Sequence, residues 1–178
     1  EAIVNRFQKK DVARYGELMT ASLQECHRVL RPGHWMVLVF MNSSQDIWRS
    51  LREAVIDAGF SIERVDIFDK QHGTFKQFVS DNTAGCDLLL HCLKTEVVRN
   101  TAAVTDASEA VESVRFFLST RRAAIPKVSY LHVQRDDEID YRLLYSEFLA
   151  NRLIDNGRLV DFSSFRVAAA SALKQLLR

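Results

Sequence analysis

Two pairs of neighbouring residues combine side chains that bind metal ions. Cys26 precedes His27, and His91 precedes Cys92. Thiolates and imidazoles are zinc ligands, but successive residues of a strand point to opposite faces, so His91 and Cys92 cannot hold one ion without distortion. The sequence therefore favours core thiols and hydrogen-bonded histidines, and we expect no metal.

The sequence also lacks the motifs by which many enzymes are recognised. Gly-x-Gly-x-x-Gly, the Walker loop and the Gly-x-Ser-x-Gly elbow do not occur, and the six glycines are scattered. Such loops bring backbone amides close to a phosphate or expose a serine nucleophile. A phosphate-binding loop and a serine hydrolase site of these types are therefore excluded.

The composition is that of an ordinary globular protein. The chain has 178 residues, of which 47% are hydrophobic and 26% charged, with a net charge of +1. No apolar run approaches the ~20 residues that span a bilayer, and the amino end has no signal-peptide pattern. The three cysteines form no Cys-x-x-Cys pair, which favours reduced, buried thiols. We expect a cytoplasmic protein without a membrane partner.

One apolar run organises the first half of the chain. Residues 34–40 predict a strand buried on both faces. A helical pattern over residues 11–30 precedes it, and a second helix, capped by Ser43 and closed by Gly59, follows it. Helix, buried strand, helix is the order of a parallel sheet covered on both faces, which makes the fold class α/β.

Two more strands follow, over residues 60–68 and 86–93. No helical pattern separates them, so we expect an antiparallel pair with a long loop at a sheet edge. The composition then changes near residue 95, where we place a boundary between residues 1–95 and a mainly helical extension, residues 96–178. Within that extension we expect helices over residues 107–121, 139–154 and 163–177, a short strand near 128–133, and a helix start in the acidic residues 136–138.

The first half resembles a known family. The segment Glu-Cys-His-Arg-Val-Leu-Arg-Pro-Gly-His before the first strand is similar to the Arg-Val-Leu-Lys/Arg-Pro-Gly-Gly turn of class I S-adenosylmethionine-dependent methyltransferases, with His34 in place of the second glycine. In that family the turn precedes the fifth strand, and the sixth and seventh strands form a closing antiparallel hairpin. Residues 69–77, Asp-Lys-Gln-His-Gly-Thr-Phe-Lys-Gln, narrow the resemblance to the DNA amino-methyltransferases, which methylate adenine N6 or cytosine N4. The likeness covers about residues 15–94.

The resemblance implies the C-terminal half of a Rossmann-like methyltransferase sheet, strands five to seven with flanking helices. It also implies S-adenosylmethionine as co-substrate and DNA as partner. The family's Phe-x-Gly-x-Gly cofactor loop and its Asp/Asn-Pro-Pro-Tyr/Phe motif are absent from this sequence. We therefore expect these motifs upstream in the intact protein, no catalytic residue in this chain, and no activity of the chain alone.

The resemblance also suggests which residues contact DNA. Ligands bind beyond the carboxyl ends of parallel strands, which brings Asn42 to the rim of the cleft, beside two serines that we interpret as helix caps. By resemblance Phe75 stacks on the flipped target base, Lys76 contacts a phosphate, and Gln77 pairs with a base edge or the backbone. Phe75 could instead pin its loop to the core, and Phe78 competes for the stacking role.

Other interpretations stay open at this point. The arginines and lysine at positions 99, 121, 122 and 127 could form a phosphate-binding patch, although solvated surface charge is the commoner explanation. A class I methyltransferase acting on RNA, protein or a small molecule would use the same turn. A non-catalytic interaction module is a further alternative. A half-sheet would leave an edge and an apolar face uncovered, so we expect a homodimer.

Overall fold

The computed structural model describes residues 11–68, 86–95, 110–130 and 133–176, which form an α/β arrangement. The helices within these ranges are α1 (Val12–Val29), α2 (Gln45–Asp57), α3 (Ala110–Thr120), α4 (Tyr141–Ile154) and α5 (Phe162–Leu176). The strands are β1 (Trp35–Phe40), β2 (Phe60–Phe68), β3 (Asp87–Lys94), β4 (Lys127–Tyr130) and β5 (Val133–Ile139). The helices and strands expected in the first half are confirmed to within two residues at each end.

The first three strands form one sheet in the order β1-β3-β2. β3 is antiparallel to both neighbours, so β1 and β2 run in the same direction. The expected antiparallel pair of β2 and β3 is therefore confirmed. Phe40 of β1 and Ile67 of β2 both pair with Leu88 of β3. The carboxyl ends of β1 and β2 therefore lie side by side, at one end of the sheet that we call the rim.

One face of this sheet is covered. Leu88, Leu90 and Cys92 of β3 are at most 1% exposed and belong to a cluster that also contains Tyr145 of α4. The ring of Trp48 in α2 packs edge-on against Phe40 of β1, at 5.0 Å between centroids. Helices from both halves of the chain thus share one hydrophobic core with the sheet. The boundary at residue 95 stays a prediction.

The other face is open, and the expectation that β1 is buried on both faces is wrong. Trp35, Val37 and Val39 of β1 are 52%, 49% and 55% exposed, while the residues between them pack into the core. The described helices that contact the sheet bury residues of its covered face. We call the opposite side the open face and define it by six apolar side chains: Trp35, Val37, Val39, Phe68, Leu89 and Leu93.

The second half departs from the expected helical pattern at one point. Residues 136–138 lie in β5, which pairs with β4 in a two-stranded hairpin, and α4 begins only at Tyr141. The acidic run resembles a helix start, but it lies within the strand that precedes α4. Asp140 instead caps α4 by accepting hydrogen bonds from two amides of the first turn, each at 3.0 Å.

Candidate functional site

The turn that follows β1 is held by hydrogen bonds of Asn42. Its side-chain oxygen Oδ1 accepts the Ser44 N–H at 2.8 Å, which makes an Asx-turn. Its backbone carbonyl accepts the indole N–H of Trp48, also at 2.8 Å. Asn42 is half-buried. The amide NH₂ group of Asn42 and the second lone pair of Oδ1 could both contact DNA.

The first amide of α2 is capped by a residue from the far end of the chain. Ser44 occupies the N-cap position but makes no side-chain capping hydrogen bond. The N–H of Gln45 instead donates to Oδ1 of Asp161, at 2.8 Å. The expectation that Ser44 caps this helix is therefore wrong. A carboxylate is the stronger acceptor, and α5 brings Asp161 within reach of the helix start.

A second, neighbouring hydrogen bond also attaches this end of the sheet to the start of α5. The Phe162 N–H donates to the carbonyl of Ser43 at 3.1 Å, next to the Asp161 contact. Tyr145 lies just beneath, and its hydroxyl donates to the Val160 carbonyl at 2.8 Å. Burial, together with the charge of Asp161, raises the pKa of Tyr145, so the phenol stays protonated and acts as a structural donor.

The predicted DNA-binding loop leaves the sheet at this rim. Phe75, Lys76 and Gln77 lie outside the described residues, so their roles stay predictions. The strand ends on either side of them are described: Phe68 pairs with Asp87, in the row next to the one that holds Phe40. The loop and the Asn42 turn therefore begin at the same end of the sheet.

A charged network that the sequence analysis missed borders the open face. The guanidinium of Arg64 donates to both carboxylate oxygens of Asp66, at 2.7 and 2.6 Å, and His91 Nε2 lies 2.9 Å from Asp66 Oδ2. The hydrogen bonds from Arg64 hold the pKa of Asp66 below its usual value, and His91 adds to this effect. The available signal was the spacing of Arg64 and Asp66 by two, which places both on one face of a strand.

His91 and Cys92 lie on opposite faces of the sheet and do not share a site. His91 is half-buried beside the open face, whereas Cys92 is fully buried on the covered face, as strand alternation requires. Burial raises the pKa of the Cys92 thiol to about 12, so it carries no thiolate near neutral pH. Cys26, expected to be buried, is exposed. Among the described residues, no group of three or more metal-binding side chains comes together.

His27 lies at the crowded end of α1. Lys94 donates to the carbonyls of His27 and Leu30, at 2.5 and 2.8 Å, and so satisfies the end of the helix. Burial lowers the pKa of His27 and the Lys94 charge lowers it further, although the nearby Gly59 backbone opposes both. The imidazole is therefore neutral at physiological pH.

The proposed basic patch loses one of its members. Arg121 forms a two-pronged ion pair with Glu147, at 2.6 and 2.9 Å, and its side chain is only 7% exposed. This guanidinium links α3 to α4 and cannot reach a phosphate backbone. Arg99 lies outside the described residues.

No family model, curated protein or solved structure matches this chain. None of the helices described is long and apolar enough to cross a membrane.

Proposed function

We propose that the chain is part of an S-adenosylmethionine-dependent DNA methyltransferase that methylates an exocyclic amine of adenine or cytosine. Two features support this proposal: the turn of residues 28–33 leading from α1 into β1, and the order α1, β1, α2, β2, β3 with an antiparallel final pair. Gly33 in that turn has φ of 72°, a conformation that glycine adopts at little cost.

The observation that carries the proposal is that two predicted DNA-binding segments leave the sheet at the same end, the rim. The turn at Asn42 and both ends of the loop that holds Phe75 lie at the rim, where β1 and β2 end. Binding sites of α/β sheets lie beyond such strand ends, and a base taken out of the duplex needs an aromatic surface to stack on. We assign stacking to Phe75, phosphate contact to Lys76, and base-edge or backbone contacts to Gln77 and Asn42.

The cofactor belongs to the part of the site that this sequence does not supply. S-adenosylmethionine donates the methyl group in such enzymes, but the cofactor loop and the Pro-Pro motif for the target amine are absent here. No residue of this chain is therefore assigned to the cofactor. The contribution of the chain is to hold the DNA.

A methyl-transfer assay tests this function. The intact protein that contains this chain is incubated with radiolabelled S-adenosylmethionine and plasmid DNA that lacks the modification. We expect incorporation into DNA and a loss of about 5- to 100-fold in Phe75→Ala, because stacking on one base is worth ~1–3 kcal/mol. Phe116→Ala, which removes a 60% exposed ring of α3, is the matched control and should keep full activity.

The other outcomes separate the alternatives. Equal activity in both variants would leave the enzyme in place and remove the stacking role of Phe75. Absence of incorporation by the folded intact protein would overturn the DNA methyltransferase. It would favour the two alternatives: a class I methyltransferase acting on RNA, protein or a small molecule, or a non-catalytic interaction module.

A further inference from the structure

We infer that the open face is an interface at which two copies of this chain pack face to face. The inference concerns the chain by itself, without DNA or cofactor, and does not depend on the proposed function. It rests on the distribution of apolar and charged side chains over the exposed side of the sheet.

The apolar part of the open face has the size that a dimer interface requires. Trp35, Val37, Val39 and Phe68 are each about half exposed, between 49% and 55%. Given the area of such side chains, they leave roughly 300–400 Å² of apolar surface per copy. A stable interface buries about 800 Å² per partner, of which somewhat more than half is apolar. The face thus supplies most of the apolar centre of such an interface.

The charges on this side of the sheet allow a second copy to approach. β1 contributes Trp35, Val37 and Val39 to the open face and no charged side chain. The Arg64–Asp66–His91 network lies towards β2, and its arginine and carboxylate neutralise each other at 2.6–2.7 Å. Two copies related by a twofold axis would therefore bring the apolar strips of β1 together, with the Arg64–Asp66 ion pair to one side of each strip.

Face-to-face packing fits these residues better than pairing along the strand edge. Among the described residues β1 pairs only with β3, so its outer edge is also available. Edge pairing would extend the sheet but leave the Trp35 ring facing water. It would also gain little, because water already hydrogen-bonds the backbone N–H and C=O groups of an exposed strand edge. Packing the two faces, as sheets do in a β-sandwich at about 10 Å separation, removes the apolar side chains from water.

The first test measures mass against concentration. Sedimentation or light scattering from about 1 to 100 µM should show the mass rising from 20.4 kDa towards twice that value. Val37→Glu places a charge in the centre of the strip and should weaken association at least ~10-fold. Val167→Glu makes the same change at a 71% exposed position of α5 and should associate like the parent. Circular dichroism and thermal melting confirm that both variants fold.

The second test uses the two tryptophans. Trp48 is 1% exposed, so Trp48→Phe leaves Trp35 as the sole indole. As the mass doubles, Trp35 emission should shift to shorter wavelength and its quenching by iodide should fall.

Three results would overturn the inference. A mass of 20.4 kDa at every concentration would exclude the dimer. Equal weakening by both glutamate variants would mean that Val37 is not at the interface. A doubled mass with unchanged Trp35 quenching would place the contact at the strand edge or elsewhere.

Discussion

Both faces of the three-stranded sheet carry large apolar side chains, yet the environments of these side chains differ. On the covered face Leu88 and Leu90 are at most 1% exposed, beneath helices from both halves of the chain. On the open face Trp35 and Val39 are more than half exposed. Each strand contributes side chains to both faces, and in β1 they are apolar on both. The difference shows that apolar character defines which surfaces can be buried, whereas the surrounding helices determine which are buried within one molecule.

Adjacent leucines of β3 give the largest expected contrast between the two faces. Leu90→Ala should lower the free energy of unfolding by about 3 kcal/mol, because it empties a fully buried position. Leu89→Ala, on the open face, should cost less than about 1.5 kcal/mol, since that side chain already contacts water. Urea unfolding at a concentration where the chain is monomeric measures both. Equal losses would show that the open face is covered in solution.

Replacing Asp161 measures how much its hydrogen bond to the distant helix α2 contributes to the free energy of unfolding. Asp161→Ala should lower the free energy of unfolding by about 1–2 kcal/mol, because it removes the acceptor for the Gln45 amide at a half-buried site. Asp11→Ala removes an exposed cap of α1, whose carboxylate accepts from Arg14 N–H, and should cost about 0.5–1 kcal/mol. Thermal melts of the two variants, with Asp161→Asn to retain a neutral acceptor, give the comparison. A smaller loss in Asp161→Ala than in Asp11→Ala would contradict the remote cap.

The smallest expected effect concerns pH and the open face. The hydrogen bonds from Arg64 hold the pKa of Asp66 below the ordinary value of 3.8 in the folded state. The resulting stabilisation is complete above the pKa of the unfolded carboxyl group and is lost as the pH falls through the lower folded value. Melting temperatures between pH 6 and pH 2 should therefore fall less steeply in Asp66→Asn than in the parent. Asp57→Asn, at an exposed position of α2, is the control and should follow the parent.

Elements with a clear local signal could be predicted from the sequence. β2 occupies the expected residues, and α2 ends before Gly59, whose φ of 93° is one that glycine readily adopts. Periodicity and turn residues are sufficient for such segments because they depend on neighbours in the chain. The acidic residues 136–138 show the limit, since their local pattern indicates a helix start while the structure places them in strand β5.

Features that depend on distant residues were not predictable. An apolar run indicates a buried strand but contains no information about whether a helix covers both of its faces, which is why β1 was misjudged. The cap of Gln45 by Asp161 had no signal either, because nothing near Asp161 in the sequence points to a residue 116 positions away. The Arg64–Asp66–His91 network likewise forms only when β2 and β3 pair. The predicted contacts of Phe75, Lys76 and Gln77 await the methyl-transfer assay.

The hydrogen bond from Gln45 to Asp161 also has a consequence for the order of events during synthesis. The two residues are 116 positions apart. Ribosomes add ~5–20 residues per second, so about 6–23 s pass between the synthesis of one partner and of the other. During that interval α2 begins with an uncapped amide. The end of the sheet next to Asn42 is thus completed only when α5 docks.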